Sequence, residues 1–241
     1  ALLLGVGLAL GILIKKYNYA PLVRPRFASI KGMSSFTAVS YIASCTSNLT
    51  TSLLPLIVLN HLGAAAAALY YLSMMVSTML AVIPKATSQS LLAEGATERS
   101  DLRSITHKTL KTTFILLIPA IAVIFFGGEL LMMLFGKNYS SNTTHLLQIL
   151  AVANIFMAVN YIGDALLHIQ KRVRLFLFIN TFNTVLILAS CFYLVRHGLD
   201  GIGWAWLGGQ VITSLLYLII FSKPIKRVLV KRQDLYDTIK V

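Results

Sequence analysis

Charge is what this chain of 241 residues has least of, since only 12% of it is Asp, Glu, Lys or Arg and a soluble domain carries roughly a quarter. A water-exposed surface cannot be built from so few charges. Acids are scarcer than bases, at 8 against 21. The two cysteines, Cys45 and Cys191, lie in apolar stretches without the number or spacing of a disulfide framework or a metal site. There is no nucleophile–base motif, carboxylate cluster, phosphate loop or metal-spaced His or Cys set, so the sequence points to no catalysis, cofactor or metal. Short alternating segments of the kind that build a membrane β-barrel are missing too.

What is present is apolar and arranged in long blocks. Hydrophobic residues make up 57% of the chain, and a hydrocarbon layer of about 30 Å takes roughly 20 helical residues to cross. A partial segment, 1–14, is followed by six full ones at 35–59, 63–93, 112–135, 146–170, 173–195 and 201–222. The expected fold is therefore an all-α polytopic membrane helix bundle, because helices satisfy their own backbone polar groups in lipid. Ala1 opens straight into the first apolar run, with Lys15-Lys16 after it, the reverse of a signal peptide. This leads us to expect the C-terminal part of a longer transporter.

A net charge of +13 in a soluble protein would suggest nucleic acid. Here the bases sit between apolar blocks and report topology, with no nucleic-acid partner expected. Eighteen Lys and Arg fall in loop 15–34, loop 94–111, the turn 171–174 and the tail after Ser222, whereas only Lys137 and Arg196 fall in the alternate loops. By the positive-inside rule the C-terminus is cytoplasmic and the chain lies in the cytoplasmic membrane. Loop 15–34, with Pro21 and Pro25, looks like a linker between lobes, and 223–241 like a basic cytoplasmic tail. Between Glu94 and Lys111, mixed charges with Leu102, Ile105 and Leu110 fit a short helix at the interface.

Polar residues within the segments recur at helical spacing. Ser40, Ser44, Ser47, Asn48 and Thr51 share one face, as do Asn160, Asp164 and His168. Other helices offer Ser73, Ser77 and Lys85, Asn180 and Asn183, and Gln210, Ser214 and Tyr217. Small polar residues also serve as plain packing contacts, but amides and charges are costly in hydrocarbon and favour a hydrated cavity. The candidate cavity-lining residues are Asn48, Lys85, Asn160, Asp164, Asn183 and Gln210. Lys85 and Asp164 are the ionisable pair well inside apolar blocks; each lies within about 10–13 Å of a segment end, so snorkelling to the interface is an alternative reading for both. Pro55, Pro84 and Pro119 fall within segments and suggest kinks.

Three stretches carry a resemblance to a known family: Gly63 to Ser73 leading to Ile83-Pro84-Lys85-Ala86-Thr87-Ser88-Gln89; Leu134 to Tyr139 followed by Leu146 to Leu150; and the glycine-rich Gly198 to Gln210. Together they resemble the polysaccharide or lipid-linked oligosaccharide flippases of the multidrug/oligosaccharidyl-lipid/polysaccharide exporter superfamily. The resemblance implies two six-helix lobes around a cavity, with 1–14 ending the first lobe and 35–222 forming the second. It further implies lipid-linked oligosaccharide as substrate and membrane lipid as surroundings, with a coupling cation as a further partner. A cation-coupled multidrug antiporter of the same superfamily and a non-transporting membrane scaffold stay open as alternatives. The family's cavity is often cationic, and Lys85 is the intramembrane base that could meet a substrate phosphate here.

Overall fold

The structure, a computed structural model, describes residues 27–96, 101–133 and 137–222. The partial segment 1–14, the first part of the expected linker and the tail 223–241 lie outside the described residues. So does the greater part of the unit Ala1–Ala38; the compact unit Val39–Val241 is considered below. The described residues are helical, in five elements: α1 Phe27–Gly95, α2 Leu102–Met133, α3 Lys137–Ile169, α4 Val173–Leu194 and α5 Gly198–Ser222, with a 3-10 turn at Val195–His197 before α5. Helix is what lipid permits, since every backbone donor finds its acceptor within one segment. Large apolar side chains cover the outside, among them Ile115, Ile118, Phe126, Leu218 and Ile219, each more than half exposed. In water such a surface would drive aggregation; in hydrocarbon it is the expected one.

Among the described residues, four stretches are long and apolar enough to cross a membrane: Asn48–Gly95, Leu102–Leu130, Thr143–Ile169 and Val173–Ser222. The first and last are far longer than one crossing, and each contains a break where the backbone leaves the helix. In α1 the break is Gly63, at φ 85° and ψ 174°, which separates limbs 27–62 and 64–95. A side chain at that φ would be strained, which is why glycine stands there. A straight helix would hold Asn48 and Lys85 about 55 Å apart, yet both line one cavity. The limbs therefore fold back on one another. The second break is at Gly198, φ 74°, the first residue of α5.

Prolines 55, 84 and 119 stay within helices, and the departure from helical backbone in α1 is at Gly63 and not at a proline. Two sequence expectations need correction. Helix α1 begins at Phe27, so the end of the expected linker 15–34 is already helical. Likewise Leu102–Lys111 is no separate interfacial helix but the first turns of α2, capped by Asp101, whose carboxylate accepts from the Arg103 N–H at 3.2 Å. Its apolar members turn inward, with Ile105 and Leu110 packed on Leu91 of α1 and Ile162 and Ala165 of α3.

Helix α3 is the most buried of the spans, packing on α2 along one side and on α5 along another, while α5 also packs on α4. Two glycines allow these close approaches: a Cβ on Gly163 would lie 2.5 Å from the Tyr217 ring, and one on Gly209 would lie 2.3 Å from Ile187. Small residues at helix crossings are the usual means of close contact in membranes. The α3–α4 turn closes with Arg172 N–H donating to Leu167 O and Lys171 N–H to His168 O, with Lys171 at φ 56°, a Schellman arrangement. It gathers Lys171, Arg172 and Arg174 at the end where Gly95 meets Ile169, while His145 and Asp200 pair at 2.8 Å at the other end.

Candidate functional site

Both limbs of α1, together with α3, α4 and α5, line a half-open cavity of about 520 Å³. Helix α2 contributes no lining residue. The lining is mixed: from the second limb of α1 come Met74, Ser77, Thr78, Met79, Ala81, Val82 and Lys85, and from α3–α5 mainly amides and hydroxyls with one carboxylate, beside Met157, Ile187 and Trp206. The six residues named from the sequence, Asn48, Lys85, Asn160, Asp164, Asn183 and Gln210, all lie on this one cavity. They are not equally held. Asn160 and Gln210 are buried, Asp164 and Asn183 are partly buried, and Asn48 and Lys85 are exposed.

The polar wall is cross-linked between helices. Asn160 Nδ2 donates to Gln210 Oε1 at 2.7 Å, and Ser214 Oγ donates to Asn160 Oδ1 at 3.1 Å and to Phe156 O at 2.9 Å, joining α3 to α5. One oxygen of Asp164, Oδ1, accepts from Asn180 Nδ2 at 3.0 Å and from the Tyr217 hydroxyl, so this carboxylate ties α3 to α4 and α5. On α1, the Thr50 hydroxyl donates to Thr184 Oγ1 at 3.1 Å, and Thr184 donates to the Thr46 carbonyl, which fixes the first limb of α1 against α4. The interior is thus organised by neutral donors and acceptors around a single acid.

No ion pair joins Asp164 and Lys85 among the described residues. The reason lies in reach and supply. Tyr217 and Asn180 already bring two donors to the carboxylate, whereas Lys85 stands exposed on the opposite, α1 side.

Several contributors escaped the sequence reading. Asn154, fully buried on α3, donates from Nδ2 to Ser77 Oγ at 2.9 Å. It lies off the stripe of Asn160 and Asp164, so periodicity did not select it. Thr50, Thr184 and Thr213 each stand next to a polar residue that the sequence did single out, Thr51, Asn183 and Ser214, and one position off the face those residues mark. Tyr217 and Asn180 were visible as polar positions, but their convergence on Asp164 requires knowing which faces meet.

An all-helical bundle with an apolar exterior, several spans and a polar interior cavity is a multi-pass membrane protein. Comparison with known proteins gives its family: the model of a family described as polysaccharide biosynthesis protein matches residues 2–144, and the chain belongs to that family. It is also 23% identical over 171 residues to a Shigella flexneri protein provisionally named an O-antigen transporter; the match covers 69% of this chain. The chain spans 41% of the length of that relative. No solved structure matches.

Proposed function

We propose that this chain contributes one lobe of a membrane transporter that moves a lipid-linked oligosaccharide, a polysaccharide precursor, across the cytoplasmic membrane by alternating access. On this reading segment 1–14 ends a first lobe, 35–222 forms six spans of a second, and the C-terminus is cytoplasmic. The observation that carries it is a cavity of mixed lining inside a protein of a polysaccharide biosynthesis family: apolar side chains, Met74, Met79, Val82 and Trp206 among them, stand beside amides and hydroxyls. A substrate that is lipid at one end and sugar at the other needs both kinds of surface. The Shigella relative, by its name, points the same way.

In this mechanism Lys85, on the second limb of α1 and lining the cavity, meets the substrate's phosphate as a point charge, and a rocking of the two lobes exposes the cavity to each face in turn. The interhelical bonds through Asn160, Gln210, Ser214 and Asp164 keep α3, α4 and α5 as one body during that movement. The test is Lys85→Ala in the full-length protein, expressed in cells lacking their own copy. Surface polysaccharide, read by gel profile and antibody, should fall at least tenfold with unchanged membrane abundance. Normal display in Lys85→Ala would remove the phosphate role.

A further inference from the structure

The wall built by α3, α4 and α5 contains more hydrogen-bonding capacity than the protein uses. Thr213 lines the cavity and is only 3% exposed, yet its hydroxyl has no hydrogen-bond partner among the described residues. The same holds for Asn183 Oδ1 on the neighbouring helix. Gln210, 5% exposed, lines the cavity one turn before Thr213 and accepts from Asn160 through Oε1. Buried polar atoms are nearly always paired, and each exception calls for a partner that the fold does not supply.

The chemistry of that partner can be narrowed. The wall carries no Lys or Arg that could hold a phosphate or an acidic group, and its one acid is Asp164. A purely apolar ligand would leave Thr213 and Asn183 unpaired, and such a site rejects it strongly. A group that both donates and accepts at several adjacent positions, without charge, satisfies the set. Vicinal sugar hydroxyls do this. We propose that Thr213 and Gln210, held in place by Asn160, form a subsite for the uncharged hydroxyls of a sugar unit, and so select for the glycan rather than for its lipid or phosphate. This inference rests on the reading of the cavity as the path of a lipid-linked oligosaccharide.

The experiment uses the purified full-length protein in phospholipid nanodiscs and two probes: polyprenyl pyrophosphate without sugar, and the same lipid carrying one oligosaccharide repeat unit of the host strain. Wild type should bind the glycan-bearing probe more tightly. Thr213→Val should raise its Kd about tenfold, the order of one lost hydrogen bond to a polar site, and leave the sugar-free probe within twofold. Thr213→Ser, which restores the hydroxyl, should return the affinity. Should Thr213→Val fail to purify as a folded protein, Gln210→Met provides the same comparison. Equal weakening of both probes, or of neither, overturns the sugar subsite. Equal wild-type affinity for both probes overturns it too while leaving lipid transport standing, and failure of wild type to bind either probe overturns the transport reading itself.

Discussion

Replacing Gly163 with alanine tests how α3 is held against α5. A Cβ at that position would stand 2.5, 2.6 and 2.9 Å from the Cδ1, Cγ and Cε1 atoms of Tyr217, against about 3.5–4.0 Å for carbon atoms in normal contact. About 1 Å must be found. Rotating the ring about its own axis cannot supply it, because Cγ lies on that axis. Either χ1 of Tyr217 changes, which carries its hydroxyl away from Asp164, or the two helices separate and loosen the Asn160–Gln210 and Ser214–Asn160 bonds. Overpacking typically costs about 1–3 kcal/mol, whereas an interhelical hydrogen bond inside a membrane averages about 0.6 kcal/mol. The steric part therefore dominates. Gly163→Ala should destabilise by about 1–3 kcal/mol, and Tyr217→Phe, which keeps the ring and loses only the hydroxyl, by less. Stability is read from unfolding in mixed detergent micelles as SDS is added. The decisive comparison is the double variant: in a Tyr217→Ala background the added methyl has space, so Gly163→Ala should cost almost nothing. If Gly163→Ala is as stable as wild type, or costs as much without the Tyr217 ring as with it, the close approach of α3 and α5 is wrong.

Two further expectations concern orientation and coupling. With Cys45 replaced by serine, and Cys191 left in place because it is fully buried, a cysteine at Arg196 should react with an impermeant maleimide from outside the cell and one at Arg172 only after lysis; the reverse pattern would invert the topology. Asp164→Asn keeps the size of the side chain and its hydrogen bonds to Asn180 and Tyr217 while removing the charge. Full-length protein with this change should still support surface polysaccharide, and drug or dye efflux by wild type that vanishes in Asp164→Asn would replace the glycan reading with the cation-coupled antiporter.

The helical, membrane-embedded character was legible because lipid imposes it: a run of about 20 apolar residues has almost no other stable use. Boundaries at glycine were legible for the same kind of reason, since Gly63 and Gly198 occupy backbone conformations that other residues resist. Element ends set by packing were not. Leu102–Lys111 has the amphipathic look of an interfacial helix, and only contact with Leu91, Ile162 and Ala165 makes it the beginning of α2.

At the cavity the division is similar. A 3.6-residue period reveals which face of a single helix is polar, and that was enough to select Asn160 with Asp164, and Gln210 with Ser214. It cannot tell which faces meet, and charge alone is a poor guide to partners. Pairing Lys85 with Asp164 looks favourable by sign, but partners are decided by position on the bundle. The carboxylate sits at the junction of three helices, where two short neutral donors reach it without moving a long cationic side chain out of the cavity. Neutral partners also leave Lys85 uncommitted to the protein's own acid. The side chain that reaches Asp164 is therefore set by which helix faces meet, and the sign of its charge does not decide it.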